Sequence, residues 1–330
     1  MERYVFAVGD EPFCLWGYDL ARENEIFLRS FDASYFEYIA RIHLNQLEGE
    51  DAPRAAVALR AAYHHGLEAL FSLLGALSQA PAAVTAWIPR CSNSRLRHIV
   101  RDISATQPIL TQRGPQPLSW QLLAEIVHSY VWVNEEPKWA TATRYARLWS
   151  RFADEFLDDL HIAEYNSIKH GFRVLSGGSV LRMGVEPAYG VPAPESEMQT
   201  IGASPHGVNF STVESIPATE SRSPHVRLMH QRLNWRAESM VQALQLIAYS
   251  VNNVAGFLRV LNGAPAGSIR FHRPEDPEAF EAPWRWHVGI ISGAMNFIID
   301  EDEVIRTSRA ELRAELEGRA PAAKADSAEQ

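Results

Sequence analysis

The sequence has little cysteine: Cys14 and Cys91 are the only two in 330 residues. Two isolated thiols exclude a disulfide framework and a cysteine-rich metal module, and they are typical of a reducing compartment. No apolar run reaches the roughly 18 residues that a membrane-spanning helix needs. The first residues lack a basic start followed by an apolar stretch, so we expect no secretory signal and a cytoplasmic protein.

The chain also lacks an excess of basic residues, since 31 lysines and arginines face 40 acidic residues and the net charge is −9. This balance argues against a protein whose main task is to coat nucleic acid, because neutralising phosphates requires a basic face. One local basic cluster is present, and its members are Arg90, Arg95, Arg97, His98 and Arg101. It is interpreted either as a solvated helix face or as a phosphate or RNA contact through Arg95, Arg97 and Arg101.

Helical periodicity of apolar residues is the main pattern in the sequence. Pro53 stands where a first-turn proline belongs and opens a helix to about Gln79, with leucines at three- and four-residue spacing. A second long helix is predicted from about Ala237 to Gly263. From Trp139 onward, apolar residues step by three and four without a break as far as Ala163, which predicts one continuous helix. The predicted fold class is mainly α, a helical bundle with a small β-hairpin insertion.

Strand-like patterns are short. Tyr4–Val8 and Phe13–Tyr18 predict an N-terminal hairpin, and Phe172–Leu175 and Val180–Met183 predict a second one around a Ser-Gly-Gly-Ser turn. A final helical stretch is predicted from Trp284 to Ile298. The predicted organisation is a β-rich segment at 1–30, a helical domain at 31–318 with a β or irregular insertion at about 172–234, and a disordered tail at 319–330.

The most distinctive string is Tyr165-Asn-Ser-Ile-Lys-His-Gly171, at the end of the helix that begins near Trp139. Asn166 and His170 are four residues apart and would leave the last helical turn on one side, with Gly171 as a C-terminal cap. Continuing the apolar step predicts that His170 faces the packed side. The pair could orient a ligand, because a carboxamide can fix the tautomer of an imidazole, or His170 could be a hydrogen-bonded core residue.

This string resembles the HEPN superfamily of helical nucleotide-binding and ribonuclease domains. In that family an Arg is followed by a polar residue, often Asn, and then by a His four to six positions after the Arg. Asn166 matches the polar position and His170 the His, whereas Tyr165 occupies the Arg position. The resemblance spans about 35–171 and implies a dimeric helical bundle and, in active members, metal-independent RNA cleavage, with the His as acid or base.

Without the family's Arg, another cation must meet the developing phosphate charge. Lys169, or an arginine at 95, 97 or 101, could take that role. The candidate catalytic residues are therefore His170, Asn166, Tyr165 and Lys169. A second string, Arg60-Ala-Ala-Tyr-His-His65, has the Arg-to-His spacing but lacks the polar second position, and we interpret it as a coincidence inside an apolar helix.

A hypothesis of another class comes from two carboxylate–imidazole pairs, Glu125 with His128 and Asp158 with His161. Helical bundles that hold two metal ions use two Glu-x-x-His pairs plus two further glutamates. Here one pair has Asp, and a full ligand set is not evident, so we predict no metal and no cofactor. Phosphate-cradling, dinucleotide and nucleophile-elbow motifs are absent.

Two functions stay open on the sequence. The first is RNA or nucleotide binding, with possible metal-independent endoribonuclease activity. The second is a non-catalytic helical module for interaction or dimerisation, in which Tyr165 marks a lost active site. A homodimer is the expected partner in both cases.

Overall fold

The computed structural model describes residues 1–129, 135–216, 225–285, 292–296 and 308–318. Within these residues the chain is 56% helical and 20% strand, with the strands in four sheets. The predicted mainly helical bundle is therefore wrong as a fold class, and the chain is mixed α and β. The predicted tail at 319–330 lies outside the described residues.

Long helices alternate with short connectors over the first half of the chain. Helix α3 begins one residue before Pro53, as the first-turn proline predicts. The helices are α1 (Leu20–Ser30), α2 (Tyr35–Leu44), α3 (Ala52–Gln79), α4 (Val84–Arg90), α5 (Asn93–Ser104), α6 (Trp120–His128), α7 (Glu135–Leu157), α8 (Asp159–Lys169), α9 (Ala237–Leu261) and α10 (Arg309–Gly318).

The strands belong to three two-stranded antiparallel sheets, β1–β2, β3–β4 and β6–β7, and to one four-stranded sheet with the order β10-β9-β8-β5. They are β1 (Glu2–Val8), β2 (Glu11–Gly17), β3 (Pro108–Thr111), β4 (Gly114–Pro117), β5 (Val174–Ser176), β6 (Val180–Met183), β7 (Gln199–Ala203), β8 (Gly207–Ile216), β9 (His225–Asn234) and β10 (Ser292–Asn296).

The chain divides into two compact units. Unit 1 comprises 1–210 and 232–292, and unit 2 comprises 211–231 and 293–330. Unit 1 holds the core, which is built around α3 and α9. Within the described residues no helix is long and apolar enough to cross a membrane.

The apolar stripes of α3 and α9 are buried as their spacing predicts. Leu67, Leu70 and Leu74 are at most 1% exposed on α3, and Ile247 and Val251 on α9 are fully buried. Removing one large aliphatic side chain from water contributes about 1.5–3 kcal/mol, so this seam supplies much of the driving force for folding.

The predicted continuous helix from Trp139 to His170 is wrong, because it breaks between α7 and α8. Asp158 has extended backbone angles (φ −67°, ψ 126°), and its side chain accepts a hydrogen bond from the backbone N–H of His161. An aspartate in this position competes with the helix for backbone donors and starts a new helix instead. Apolar residues keep their three- and four-residue spacing across such a cap, so the spacing alone does not reveal the break.

The predicted hairpin between 172–175 and 180–183 is also wrong. Strand β5 pairs with β8, and β6 pairs with β7. The glycines between them explain this outcome: the N–H of Gly177 donates to the carbonyl of Gly207 (2.9 Å), and a Cβ on Gly178 would overlap the carbonyl of Ser204. Gly178 permits close approach to distant backbone, and Gly177 adopts a positive φ of +128°.

One further strand region differs from the predictions, and another lies where no element was predicted. Ser292–Asn296 forms β10, inside the stretch predicted as a final helix. The proline-bounded segment near Pro108 forms the β3–β4 hairpin, in which Pro108 pairs with Pro117 at the open end. Both prolines lie in a two-stranded sheet, where a missing backbone donor is tolerated.

Gly75 provides a test of the packing between α3 and α4. A Cβ at this position would overlap the ring of Trp87, which is fully buried and donates its Nε1–H to the carbonyl of Ala7 (2.9 Å). We expect Gly75→Ala to lower the free energy of unfolding by about 1–3 kcal/mol through overpacking. Urea unfolding measures it, and Gly267→Ala is the control because nothing lies within 4 Å of that Cβ. Equal stability of the two variants would contradict this account.

Candidate functional site

A buried ionic network joins α3 to α8. Glu164 is fully buried, and its Oε2 accepts hydrogen bonds from Nε (2.9 Å) and Nη2 (2.7 Å) of Arg60. His64 Nε2 lies 3.0 Å from the same oxygen. The other carboxylate oxygen, Oε1, accepts from Trp235 Nε1 (2.9 Å). Both oxygens of this carboxylate are therefore used inside the protein.

The sequence positions these groups through helical spacing, since Arg60 and His64 are four residues apart on α3 and share a face. Burial alone would raise the pKa of Glu164, but the charge of Arg60 and the hydrogen bond with His64 hold the pKa well below its usual range. Burial, followed by the charge of Arg60, lowers the pKa of His64 to about 4. At neutral pH the network is thus an Arg60–Glu164 ion pair with a neutral imidazole beside it.

A second carboxylate, Glu155 on α7, is held in a similar way. It accepts from the hydroxyl of Tyr63 (2.5 Å) and from Trp284 Nε1 (2.7 Å). The ring nitrogen Nδ1 of His161 lies 3.2 Å from the carbonyl oxygen of Glu155. The rings of His64 and His161 are 6.4 Å apart, so the two carboxylate clusters are neighbours.

Tyr165 packs against this network and is itself buried, at 4% exposed. Its ring stacks on His64 at 5.0 Å between centroids and meets the edge of His65 at 5.5 Å. Its hydroxyl donates to Glu68 Oε2 (2.6 Å), and Lys169 Nζ lies 5.1 Å from the ring centroid and 3.8 Å from Glu68 Oε1. Burial, followed by the hydrogen bond to Glu68, raises the pKa of Tyr165.

Because burial lowers the pKa of His65, the second cation at this place, beside Lys169, is Arg97. Its charge acts on Tyr165 and lowers the tyrosine pKa, against the larger effect of burial. Its guanidinium lies 5.8 Å from the ring of Phe156, and its Nε is buried without a hydrogen-bond partner. We define the Tyr165 surface as Tyr165 with the four side chains around it: His65, Glu68, Arg97 and Lys169.

The structure joins Asn166 and His170 through the backbone, and it gives no hydrogen bond between their side chains. Asn166 is half-buried, and His170 is exposed and caps α8 by donating its backbone N–H to the carbonyl of Asn166 (3.0 Å). The prediction that His170 faces the packed side is wrong, because α8 ends at Lys169 and His170 has left helical backbone angles. Gly171, with φ +89°, has the predicted left-handed cap conformation.

The three candidate arginines of α5 have different surroundings. Arg95 forms an ion pair with Glu11, and Arg101 is exposed. Arg97 alone of the three acts electrostatically on Tyr165. The structure therefore separates Arg97 from the other two as the residue that approaches the Tyr165-to-Gly171 string.

The carboxylate–imidazole pairs considered for a metal have other roles. Asp158 caps α8, and Nδ1 of His128 lies 2.6 Å from the carbonyl oxygen of Ala124. Glu125 accepts from Gln121 Nε2 (2.8 Å). In the part of the chain that the structure describes, no group of three or more His, Cys, Asp or Glu side chains could hold a metal ion.

The interpretation of Arg60-to-His65 as a coincidence missed the network, because Arg60 and His64 both bind Glu164. A signal was available in the sequence. An arginine and a histidine on the same face of an otherwise apolar helix must find a buried anionic partner, since burying an unpaired charge is costly. Which carboxylate provides it depends on tertiary structure.

Comparison with known proteins identifies no relative: no protein-family model, no curated protein and no solved structure matches this chain. The resemblance to the HEPN superfamily therefore stays a prediction from the Tyr165-to-Gly171 string.

Buried His64 is expected to make the stability of the protein depend on pH. Because its pKa is about 4 in the folded protein and near 6.5 when unfolded, unfolding takes up a proton between these values. The free energy of unfolding therefore falls as the pH is lowered from 6.5 to 4, by about 3 kcal/mol from this residue. We expect His64→Gln to flatten the dependence, measured by urea unfolding across this range. Exposed His170→Gln is the control, and an unchanged slope in His64→Gln would refute the assignment.

Proposed function

We propose that the Tyr165 surface binds the phosphate of RNA or of a nucleotide. The observation that carries the proposal is the gathering of two cations, Arg97 and Lys169, and the exposed imidazole of His65, from three helices around one tyrosine. Glu68 and Asp159 act on the charge of Arg97, and its buried Nε has no hydrogen-bond acceptor. Guanidinium and ammonium groups beside an aromatic ring are a recurrent combination in nucleic-acid recognition.

The HEPN resemblance supports the same ligand class. Arg97 offers the cation that Tyr165 does not supply at the family's Arg position. Arg60 and His64 are bound to Glu164 and buried, so they are unavailable to a ligand. His65 and His170 are exposed and are therefore the histidines that a metal-independent ribonuclease activity at this surface would use. A cytoplasmic location, in keeping with two free cysteines, belongs to the same proposal.

Binding is tested by fluorescence anisotropy with a labelled single-stranded RNA in buffer containing EDTA. We expect Arg97→Ala and Lys169→Ala each to weaken binding and to reduce the slope of log affinity against log salt by about 1, because each removes one phosphate contact. Arg101→Ala is the matched control, since Arg101 is exposed on the same helix as Arg97. Equal effects of all three variants, or no binding by the wild-type protein, would contradict the proposal.

The same RNA, followed by gel electrophoresis in EDTA, tests the catalytic form of the proposal. Cleavage that persists with the chelator and is lost in His65→Ala or His170→Ala identifies a metal-independent ribonuclease. Binding without cleavage identifies a binding protein.

A second candidate function, self-association, is favoured by a different observation. The β lobe, defined as residues 172–203, exposes many large apolar side chains, and Leu175, Val185 and Tyr189 are at least 74% exposed. The others are Phe172, Val180, Leu181, Met183, Val191 and Ile201. An apolar surface of this kind marks an interaction site. The lobe carries two arginines and three glutamates, so its charges nearly balance. Electrostatic repulsion between two lobes is therefore much weaker than the net charge of −9 on the whole chain would suggest.

We therefore propose a homodimer formed through the β lobe. Light scattering after size-exclusion chromatography is expected to show a concentration-dependent dimer that Met183→Asp with Val185→Asp converts to a monomer, because both side chains become charged in the contact. Val5→Asp is the control, since Val5 is an exposed apolar strand residue elsewhere (51% exposed). A monomeric wild-type protein, or loss of the dimer in the control, would refute this arrangement.

A further inference from the structure

Unit 1 has two cavities along α9, and neither is lined by a residue of the Tyr165 surface. One cavity of 840 Å³ is lined by α2 and α9, and a second of 510 Å³ is lined by α9 and the segment 270–276. Gln245 and Tyr249 line both cavities, so the two adjoin. We name the two adjoining cavities together the tyrosine groove. The volume of each cavity lies in the range of small-molecule binding sites.

The first part of the groove is aromatic. Tyr35 and Tyr38 are 48% and 50% exposed, although the opposite face of α2 is packed into the core through Phe36 and Ala40. The guanidinium of Arg41 lies 6.0 Å from the ring of Tyr38. The helix is thus anchored without these two tyrosines, and their rings are available to a flat ligand.

The second part of the groove is polar and carries charges of both signs. Arg270 and Arg273 line it, and Arg273 donates to Thr141 Oγ1 (3.3 Å). Gln245 donates to the hydroxyl of Tyr249 (2.9 Å), whose ring lies 5.7 Å from that of His272. These contacts place hydrogen-bonding atoms where the two cavities adjoin.

The charges of the groove distinguish between ligand classes. Within the described residues, neither Arg41 nor Arg270 forms an ion pair. Two of the carboxylates are used locally, since Asp32 accepts from Ser34 and Asp276 accepts from the backbone N–H of Glu278. Glu37 and Glu275 are the other carboxylates that line it. The lining therefore holds three arginines and four carboxylates, and Arg41 and Arg270 are the cations that remain open to an ion pair with an anionic ligand.

We propose that the tyrosine groove binds a nucleotide unit, either free or within single-stranded RNA. Its base stacks on Tyr35 and Tyr38, its polar edge meets Glu37 or Gln245, and its phosphate pairs with Arg270. Stacking on aromatic side chains is how proteins hold unpaired bases, and acidic or amide side chains read the base edges. The site shares no residue with the Tyr165 surface, so either can fail while the other stands.

The test uses the full chain with two probes, AMP by isothermal titration calorimetry and a fluorescein-labelled ten-residue oligouridylate by anisotropy. We expect the double variant Tyr35→Ala with Tyr38→Ala to weaken binding of the recognised probe at least 5-fold, which is the lower end for loss of one stacked base. Arg270→Ala is expected to weaken binding and to reduce its salt dependence. Circular dichroism checks the fold of each variant.

Matched controls are Tyr18→Ala, because Tyr18 is 76% exposed elsewhere, and Arg113→Ala, because Arg113 is exposed on the β3–β4 turn. Binding of AMP assigns the groove to free nucleotides, and binding of the oligouridylate alone assigns it to single-stranded RNA. The proposal is overturned if neither probe binds, or if the groove variants bind like their controls. Lys169→Ala separates the two sites, since it weakens only binding that involves the Tyr165 surface.

Discussion

The Arg60–Glu164 ion pair is the constraint on which the junction of α3 and α8 depends. Burying a carboxylate is costly unless its charge is compensated, and here both oxygens of Glu164 are occupied. Because three of the bonds come from α3 and one from Trp235 just before α9, the carboxylate fixes α8 against two other parts of unit 1. Breaking such a pair on one side leaves an uncompensated charge, which is far more destabilising than removing both partners.

This constraint also determines what the candidate site can do. His64 is neutral at physiological pH and is bonded to Glu164, so it supports the stacked ring of Tyr165 rather than meeting a ligand. The reactive and charged groups that reach solvent are one layer further out, on the Tyr165 surface. Because Arg60 and His64 are buried and bonded to Glu164, only His65 of the Arg60-to-His65 string is open to a ligand.

Sequence patterns predicted the elements that depend on local spacing. The apolar stripes on α3 and α9 and the N-terminal hairpin are confirmed. They could be predicted because the spacing of apolar residues along the sequence directly shows a helical period of 3.6 or a strand period of 2. The break at Asp158 was missed because a capping side chain interrupts a helix without disturbing its apolar step. The pairing of β5 with β8 and the partner of Arg60 were missed for another reason. Both join residues far apart in the chain, and glycines such as Gly178 show their role only when the distant backbone is in place.

The central claim is that Arg60 and Glu164 act as one buried unit, and a double-mutant cycle measures this directly. The free energy of unfolding is determined for Arg60→Met, Glu164→Met and the double variant. We expect each single variant to lose about 3–5 kcal/mol and the double variant to lose much less than their sum, because it leaves no unpaired charge behind. Additive losses, with no coupling between the two positions, would contradict the account.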